Sequence, residues 1–158
     1  MQIFIMRHGD ANQFGLSDSQ RTLTEQGELE ASLMGKWLAS NNVAIDHLLV
    51  SPYVRAQKTA EVLMSVMEPV AQVTTLESII PSGSARAAHD FIDGYCAVEK
   101  PSSLIIVAHM PIVSYLVSEM TAGQSSPIFQ TAAIAELDYD LKRMKGHLVS
   151  VTAPSDLC

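Results

Sequence analysis

The strongest pattern along the chain is a set of three short runs of consecutive apolar residues. The runs are Ile3 to Met6, Leu48 to Val50 and Leu104 to Ala108, and none alternates apolar with polar positions as a half-exposed strand does. Such runs are typical of strands covered on both faces, which is the usual situation in a parallel sheet. The sequence therefore predicts a parallel sheet at the centre of the fold.

Segments with the periodicity of amphipathic helices lie between and after these runs. In each segment apolar residues recur at spacings of three and four, as expected for one face of a helix. The four predicted faces are Leu29, Leu33, Met34, Trp37 and Leu38; Thr59, Val62, Leu63, Val66 and Met67; Ala88, Phe91, Ile92 and Tyr95; and Val113, Leu116, Val117 and Met120. Alternation of strands with helices predicts a three-layer α/β fold, with helices flanking a mostly parallel central sheet.

Two further regions have strand-like patterns. Val73 to Leu76 predicts one strand, and Ile134 to Tyr139 with Leu148 to Val151 predicts a hairpin or two edge strands. No repeat, low-complexity tract or long charged run marks a boundary, so we expect a single domain over residues 1–158. Only one short helix fits between Leu76 and the strand at Leu104, so we expect no inserted lid or cap.

Charge and cysteine usage narrow the possible partners and location. The formal net charge of -7 repels nucleic acid and anionic membranes, so any phosphate site must be a local cluster of basic groups. The first apolar run is too short for a signal peptide, and no stretch approaches the roughly 20 apolar residues of a membrane span. Cys96 and Cys158 lie far apart and indicate neither a disulfide framework nor a zinc site. We expect a cytoplasmic protein with no nucleic-acid or membrane partner.

Each of the three apolar strands ends in polar residues and then leads into a helix. The three strand ends are Arg7-His8-Gly9, Ser51-Pro52-Tyr53-Val54-Arg55 and His109-Met110-Pro111. In open α/β sheets, ligands bind in a crevice outside the carboxyl ends of the strands. We therefore expect these groups to converge on one crevice.

The basic residues at these strand ends predict a phosphate site. Ser51 is suited to cap the second helix and Pro52 to occupy its first position, which puts Arg55 in the first turn. A helix N-terminus and an adjacent guanidinium both bind phosphate oxygens. Arg7 is a second candidate, because Gly9 allows the backbone beside it to approach a ligand closely.

The histidines at two strand ends predict covalent catalysis. A neutral imidazole can attack phosphorus when one nitrogen is free and the other donates a hydrogen bond, which is the role we assign to His8. A protonated His109 would add charge opposite the developing oxygens. Taken singly, either residue could instead be a core histidine. His47, His89 and His147 have no such setting, and no spacing of histidines or cysteines indicates a metal.

These motifs resemble the histidine phosphatase superfamily, also called the phosphoglycerate-mutase-like family. The resemblance runs from Met1 to about Leu116 and rests on Arg7-His8-Gly9, on Ser51-Pro52-x-x-Arg55-Ala56-x-x-Thr59-Ala60 and on the late His109. Within the superfamily, the chain is most similar to small bacterial phosphohistidine phosphatases through Met6-Arg7-His8-Gly9-Asp10-Ala11, Arg21-x-Leu23-Thr24-x-x-Gly27 and Ala108-His109-x-Pro111. The resemblance implies a phosphoglycerate-mutase-like fold and a hydrolase, and we expect no cofactor or metal.

The resemblance also assigns roles to residues. It implies that His8 is transiently phosphorylated, that Arg7, Arg55 and His109 form the phosphate pocket, and that water then releases phosphate. Arg21 either contributes to substrate binding in the same crevice or orients its loop by pairing with Asp18, and the sequence leaves both open. Thr24 is expected to cap the helix that follows.

One departure from the family bears on the substrate. Many relatives carry a glutamate acid after the third strand, where this chain has Ser78, and Glu77 is one residue out of step. If Glu77 continued a strand, its side chain would point to the opposite face. Phosphohistidine leaves as an imidazole, whose conjugate acid has a pKa of about 6.5, so it needs less proton assistance than an alkoxide.

The predicted function is therefore removal of phosphate from a phosphohistidine-bearing protein, either a phosphotransfer domain of a sensor kinase or a phosphocarrier. An open site suits such a protein, because small metabolites usually sit in sites that enclose most of their surface. Three alternatives are a broad phosphomonoesterase, a mutase of the same superfamily and a non-catalytic module that binds phosphoproteins. The presence of His8 argues against the last.

Overall fold

The computed structural model describes residues 1–14 and 17–157. In these ranges a six-stranded sheet is flanked by four helices. The elements are β1 (Gln2–Arg7), α1 (Glu25–Ser40), β2 (His47–Val50), α2 (Val54–Ser65), β3 (Gln72–Thr75), α3 (Ala85–Glu99), β4 (Ser103–Ala108), α4 (Ile112–Met120), β5 (Ile134–Asp140) and β6 (Lys145–Thr152), with 3₁₀ turns at Asp18–Gln20 and Pro154–Leu157. The predicted strands and helices are thus all present.

The sheet has the strand order β3-β2-β4-β1-β5-β6. Strands β3, β2, β4 and β1 are parallel neighbours, whereas β5 runs antiparallel to β1 and forms an antiparallel hairpin with β6. The prediction of an α/β fold with a mostly parallel sheet is confirmed. Because β2, β4 and β1 are adjacent and parallel, their carboxyl ends meet at one edge of the sheet.

Helices cover both faces of the sheet, which explains the unbroken apolar runs. In β1, Ile3 and Ile5 pack into the cluster formed with α3 and α4. Phe4 and Met6 alternate with them and pack into the cluster formed with α1 and α2. All four side chains are fully buried, so each face of the strand contributes to a separate half of the core.

The buried face of α1 differs from the predicted one. Leu29 was expected on the apolar face but is 66% exposed, whereas Gly27, Ala31 and Gly35 are buried. A Cβ at Gly27 would lie 2.1 Å from the backbone oxygen of Asp10, so only glycine allows this approach. The helix packs through small residues because its first turn lies directly against the loop that follows β1, and apolar periodicity does not record that kind of contact.

No helix in the described part of the chain combines the length and the apolar character needed to cross a bilayer.

Candidate active site

The three predicted strand ends do converge. His8 follows β1, Ser51 follows β2 and His109 follows β4, and the rings of His8 and His109 have their centroids 5.1 Å apart. Arg55, the second residue of α2, places its Nε atom 3.3 Å from Nε2 of His8. The groups that the sequence singled out therefore form one cluster at the carboxyl edge of the sheet.

Backbone hydrogen bonds fix the position of His8 beyond the end of β1. Its N–H donates to the Ala108 oxygen at 2.9 Å, and its oxygen accepts from the Ala132 N–H at 2.9 Å. The next amide, that of Gly9, donates to the Thr59 hydroxyl at 3.1 Å, and that hydroxyl donates to the Arg55 oxygen at 2.7 Å. The nucleophile candidate is thus held between β4, α2 and the segment before β5.

The contacts of the His8 ring select one tautomer. Nδ1 lies 2.6 Å from the Gly9 backbone oxygen, which can only accept a hydrogen bond, so Nδ1 carries the proton. Nε2 then has the lone pair, and it accepts from the Nε–H of Arg55. Nε2 is the nitrogen that faces the arginine side of the crevice, which is the arrangement a histidine nucleophile requires.

Burial and neighbouring positive charge keep His8 neutral. Burial, followed by the charges of Arg55, Arg7 and Arg21, lowers the pKa of His8 from 6.5 to about 4, against an opposing contribution from its hydrogen bond to Gly9. At neutral pH the ring is therefore uncharged and its lone pair is available.

This shift predicts a pH-dependent contribution of His8 to stability. Between pH 6.5 and pH 4 the unfolded chain binds a proton at this position and the folded chain does not, so the free energy of unfolding falls as the pH falls. We expect the wild type to lose roughly 3 kcal/mol more over this interval than His8→Asn, whose side chain does not titrate. Urea titrations of both proteins at several pH values measure the difference, and parallel pH profiles would contradict the shift.

His109 is buried and its two ring nitrogens differ in their surroundings. Nε2 lies 2.7 Å from the Ser51 hydroxyl, and Nδ1 has no hydrogen-bond partner. Burial first, and then His8 and the three arginines, lower the pKa of His109 to about 2. The protein groups alone therefore favour the neutral form of His109, and its protonation in the reaction stays a prediction. A phosphoryl dianion in contact with the ring would favour its charged form.

Ser51 has a different role from the one predicted. The first helical residue of α2 is Val54, and the N-cap position is Tyr53, so Ser51 does not cap the helix. Its backbone N–H bonds to the Val107 oxygen at 3.1 Å, which keeps it in line with the sheet. Its hydroxyl is therefore placed beside β4, where it meets His109.

Arg7 reaches across the site to the segment that precedes β5. Its Nη1 donates to the backbone oxygen of Phe129 at 2.8 Å, while its Nε is buried without a hydrogen-bond partner. In the described part of the chain, the buried side-chain nitrogens and oxygens that lack a partner are Arg7 Nε and His109 Nδ1. A buried donor without a partner costs roughly 1–3 kcal/mol, so Arg7 Nε–H is poised to gain from an acceptor, as is His109 Nδ1 whenever it carries a proton.

Arg21 lies at the outer side of the cluster. Its Nη1 donates to the Asp18 carboxylate at 2.9 Å and its Nε donates to the Asn12 oxygen at 2.7 Å, so the pairing with Asp18 that the sequence allowed does occur. The same carboxylate contacts Arg55 at 3.3 Å. The charge of Arg21 contributes to lowering the pKa of both His8 and His109, and Asp18 links Arg21 to Arg55.

The loop after β1 is held by a second layer of hydrogen bonds. Thr24 caps α1, as predicted, by accepting from the Gly27 N–H at 3.0 Å, and it donates to the Asp10 carboxylate at 2.8 Å. Glu30 accepts from the Asp10 N–H at 2.8 Å and from the Thr131 hydroxyl at 3.0 Å. Asp10 is thus engaged in fixing the loop.

Glu77 does not continue a strand. Strand β3 ends at Thr75, and Ile79 N–H bonds back to the Leu76 oxygen, so Glu77 lies exposed in a turn. The argument from strand alternation therefore does not apply. Among the described residues, no group of three or more histidine, cysteine or acidic side chains is placed to hold a metal ion.

Sequence reasoning missed several groups of the site. The Phe129 oxygen is a backbone atom and leaves no sequence signal. Thr59 was placed on a helical face and in the family motif, but its contact with the Gly9 amide was not predicted. Tyr53 packs its ring 5.1 Å from that of His109, and the guanidinium carbon of Arg55 lies 5.2 Å from the centre of the Tyr53 ring. The position of Tyr53 between the end of β2 and Arg55 was the sequence signal that could have identified it as part of the site.

Comparison with known proteins agrees with this geometry. Residues 3–80 match the family described as "Histidine phosphatase superfamily (branch 1)". The chain is 37% identical over 140 residues to "Phosphohistidine phosphatase SixA" of Escherichia coli, covering 89% of this chain and 86% of that protein. It is 38% identical over 148 residues to the "Phosphohistidine phosphatase SixA homolog" of Haemophilus influenzae, covering 89% of each.

Solved structures show the same likeness. The structure described as "protein histidine phosphatase SixA complexed with tungstate" matches over 100% of both chains with a TM-score of 0.95 and 35% identity. A putative alpha-ribazole-5'-P phosphatase from Escherichia coli matches over 98% of this chain and 97% of that one with a TM-score of 0.75 and 15% identity, which is a likeness of fold alone.

Proposed function

Because this chain belongs to the histidine phosphatase superfamily, we propose that it hydrolyses phosphohistidine on protein substrates by way of a phosphorylated His8. The predicted family is confirmed, as is the predicted likeness to phosphohistidine phosphatases. The observation that carries the proposal is that one cluster contains the His8 lone pair, the Arg55 guanidinium and the two unpartnered buried nitrogens of Arg7 and His109.

The first step is transfer of the phosphoryl group to His8. Nε2 of the neutral ring forms a bond to phosphorus, and the bond from phosphorus to the substrate imidazole breaks with its electron pair going to that imidazole. The leaving nitrogen takes a proton from solvent, which is adequate for a group whose conjugate acid has a pKa of about 6.5. The Gly9 oxygen accepts from Nδ1–H throughout and so stabilises the positive charge that develops on the ring.

The phosphoryl oxygens are held by the surrounding donors. Arg7 and Arg55 supply guanidinium N–H groups, and His109 supplies its Nδ1 edge. Arg7 Nε and His109 Nδ1 have no partner in the protein, so they can contact phosphoryl oxygens without breaking an existing hydrogen bond, whereas Arg55 has to share its contacts with His8 and Asp18. In the second step, water forms a bond to phosphorus while the bond from phosphorus to His8 Nε2 breaks, its electron pair returning to Nε2. The attacking water loses a proton to solvent, and phosphate leaves.

Two exposed apolar side chains support a protein as the carrier of the phosphoryl group. Ile128 is 85% exposed and precedes Phe129, whose oxygen holds Arg7. Phe14 is 91% exposed and lies two residues after Asn12, whose oxygen holds Arg21. Apolar side chains displayed this fully beside a site are typical of protein contact surfaces.

The segment between β3 and β4 supports an open site. In this segment the one helix is α3, which packs against α4 on one face of the sheet. We therefore propose one domain without a lid, in which a phosphohistidine presented by a phosphotransfer domain or a phosphocarrier reaches His8 directly. The cytoplasmic location stays a prediction.

The function is tested by comparing substrates. We expect a phosphohistidine-bearing phosphotransfer domain to be hydrolysed with a kcat/KM at least about 100-fold above that of free phosphohistidine or of para-nitrophenyl phosphate, because the protein adds contacts that each small substrate lacks. Phosphate release under matched conditions is the measurement. Equal rates on the monoester would instead support a broad phosphomonoesterase.

A matched pair of variants tests whether the exposed apolar contact surface causes the preference for a protein substrate. Ile128→Ser should raise the KM for the protein substrate and leave free phosphohistidine unaffected. Val98→Ser removes a side chain that is 77% exposed near the end of α3, at the opposite edge of the sheet, and should change neither. A loss of preference in both variants would argue against a specific surface.

A further inference from the structure

Arg55 is shared between His8 and Asp18. Its Nε donates to His8, its Nη1 donates to the Asp18 backbone oxygen at 2.5 Å, and its Nη2 lies 3.3 Å from an Asp18 carboxylate oxygen. Each nitrogen of the guanidinium therefore contacts a protein group. A phosphoryl group that binds Arg55 has to share it with the carboxylate or displace that carboxylate.

Asp18 also neutralises a second arginine. One carboxylate oxygen pairs with Arg21 at 2.9 Å and the other with Arg55, so a single anion bridges two cations at the outer side of the site. Burial works to raise the pKa of Asp18, but the two arginines outweigh it and hold the pKa below the ordinary value of the carboxyl. The carboxylate is thus ionised at neutral pH and is a poor proton donor.

We propose that Asp18 is a positioning residue that orders Arg55 and Arg21 and competes with phosphate for them, so that the product phosphate is held weakly. The inference rests on the proposed function, because it concerns the affinity of the same pocket for its product. Three arginines around one crevice would otherwise bind a phosphate dianion tightly, and product release would then limit turnover.

The backbone contact between Arg55 and Asp18 allows the charge of Asp18 to be tested separately from the placement of Arg55. The hydrogen bond from Arg55 to the Asp18 oxygen survives any change of the Asp18 side chain, so Arg55 keeps one anchor in a variant. Asp18→Asn preserves the shape of the side chain and removes its charge. The sign of its effect on phosphate affinity then distinguishes competition from a merely structural role.

The experiment is calorimetric titration of the whole protein with inorganic phosphate. We expect Asp18→Asn to bind phosphate roughly three- to tenfold more tightly than the wild type, because a negative charge close to the ligand is removed. Asp18→Glu, which keeps the charge, should bind about as the wild type does. In steady-state assays, Asp18→Asn should lower the inhibition constant for phosphate and the KM for the phosphoprotein, and kcat should fall because phosphate leaves more slowly.

The Asp140–Arg143 pair supplies a matched control. It has the same spacing of three residues in the chain as Asp18 and Arg21, but it lies at the β5–β6 hairpin. Asp140→Asn should leave phosphate affinity unchanged. Unchanged or weaker binding by Asp18→Asn would overturn the competition proposed here and leave the proposed function intact, whereas absence of phosphate binding by the wild type would overturn the pocket assignment and this proposal with it.

Discussion

Replacing His8 with alanine is expected to lower the rate of phosphate release from a phosphohistidine protein by about 10⁴-fold or more. Within the cluster, His8 directs the lone pair of Nε2 toward the guanidinium of Arg55, and its ring is neutral at neutral pH. Removal of the ring takes away the first bond-forming step, and the remaining donors can only bind the substrate.

The measurement follows the phosphoryl group through the reaction. The protein is mixed with a phosphotransfer domain that carries labelled phosphohistidine, quenched in alkali, where phosphohistidine survives, and separated by size. Label should be trapped on the wild type and absent from His8→Ala. His147→Ala is the matched control, because His147 lies exposed on β6. This variant should still trap label and release phosphate. Phosphate release by His8→Ala at a normal rate would show that water attacks the substrate directly.

Replacing Arg55 with alanine is expected to lower kcat/KM by about 10³-fold. The side chain supplies charge to the phosphoryl oxygens and, through its contact with Nε2, holds the His8 ring in place, so its loss removes charge from the site and a contact that orients the nucleophile. Arg55→Lys should recover at most about tenfold of this loss, because an ammonium keeps the charge but cannot donate from a planar fork to His8, Asp18 and phosphate together.

The control for this pair is Arg143→Ala. Arg143 is an exposed arginine that pairs with Asp140, and its removal should leave kcat/KM unchanged. Circular dichroism and urea unfolding of each variant separate loss of function from loss of fold. Near-normal kcat/KM for Arg55→Lys would indicate that positive charge alone is required and that the hydrogen bond to His8 contributes nothing.

The part of the molecule that the sequence predicted well is the part controlled by local pattern. Apolar runs without alternation can lie only where both faces are covered, and a parallel sheet then brings the carboxyl ends of its strands to one edge. The strand ends at His8, Ser51 and His109 were therefore expected to meet before any contact was known. Arg55 was expected with them because it lies within one helical turn of a strand end.

The parts that were mispredicted or missed depend on contacts between distant segments. Leu29 fits a helical stripe, but the face of α1 is chosen by the approach of Gly27 to the backbone of Asp10. Serine is a common helix cap, but the sheet places Ser51 beside His109. Neither contact can be predicted from a short window of sequence, because tertiary packing overrides local propensity.

The hydrogen bond from Arg7 to the Phe129 oxygen, which joins positions 122 residues apart, has a consequence for biosynthesis. A ribosome adds roughly 5 to 20 residues per second, so several seconds separate the emergence of Arg55 from that of Phe129. During that interval the nascent chain contains the nucleophile and the second arginine but lacks the carbonyl that orients Arg7. The strand β5, which borders β1 in the finished sheet, is also absent. We therefore expect phosphoryl transfer only from chains that are nearly complete.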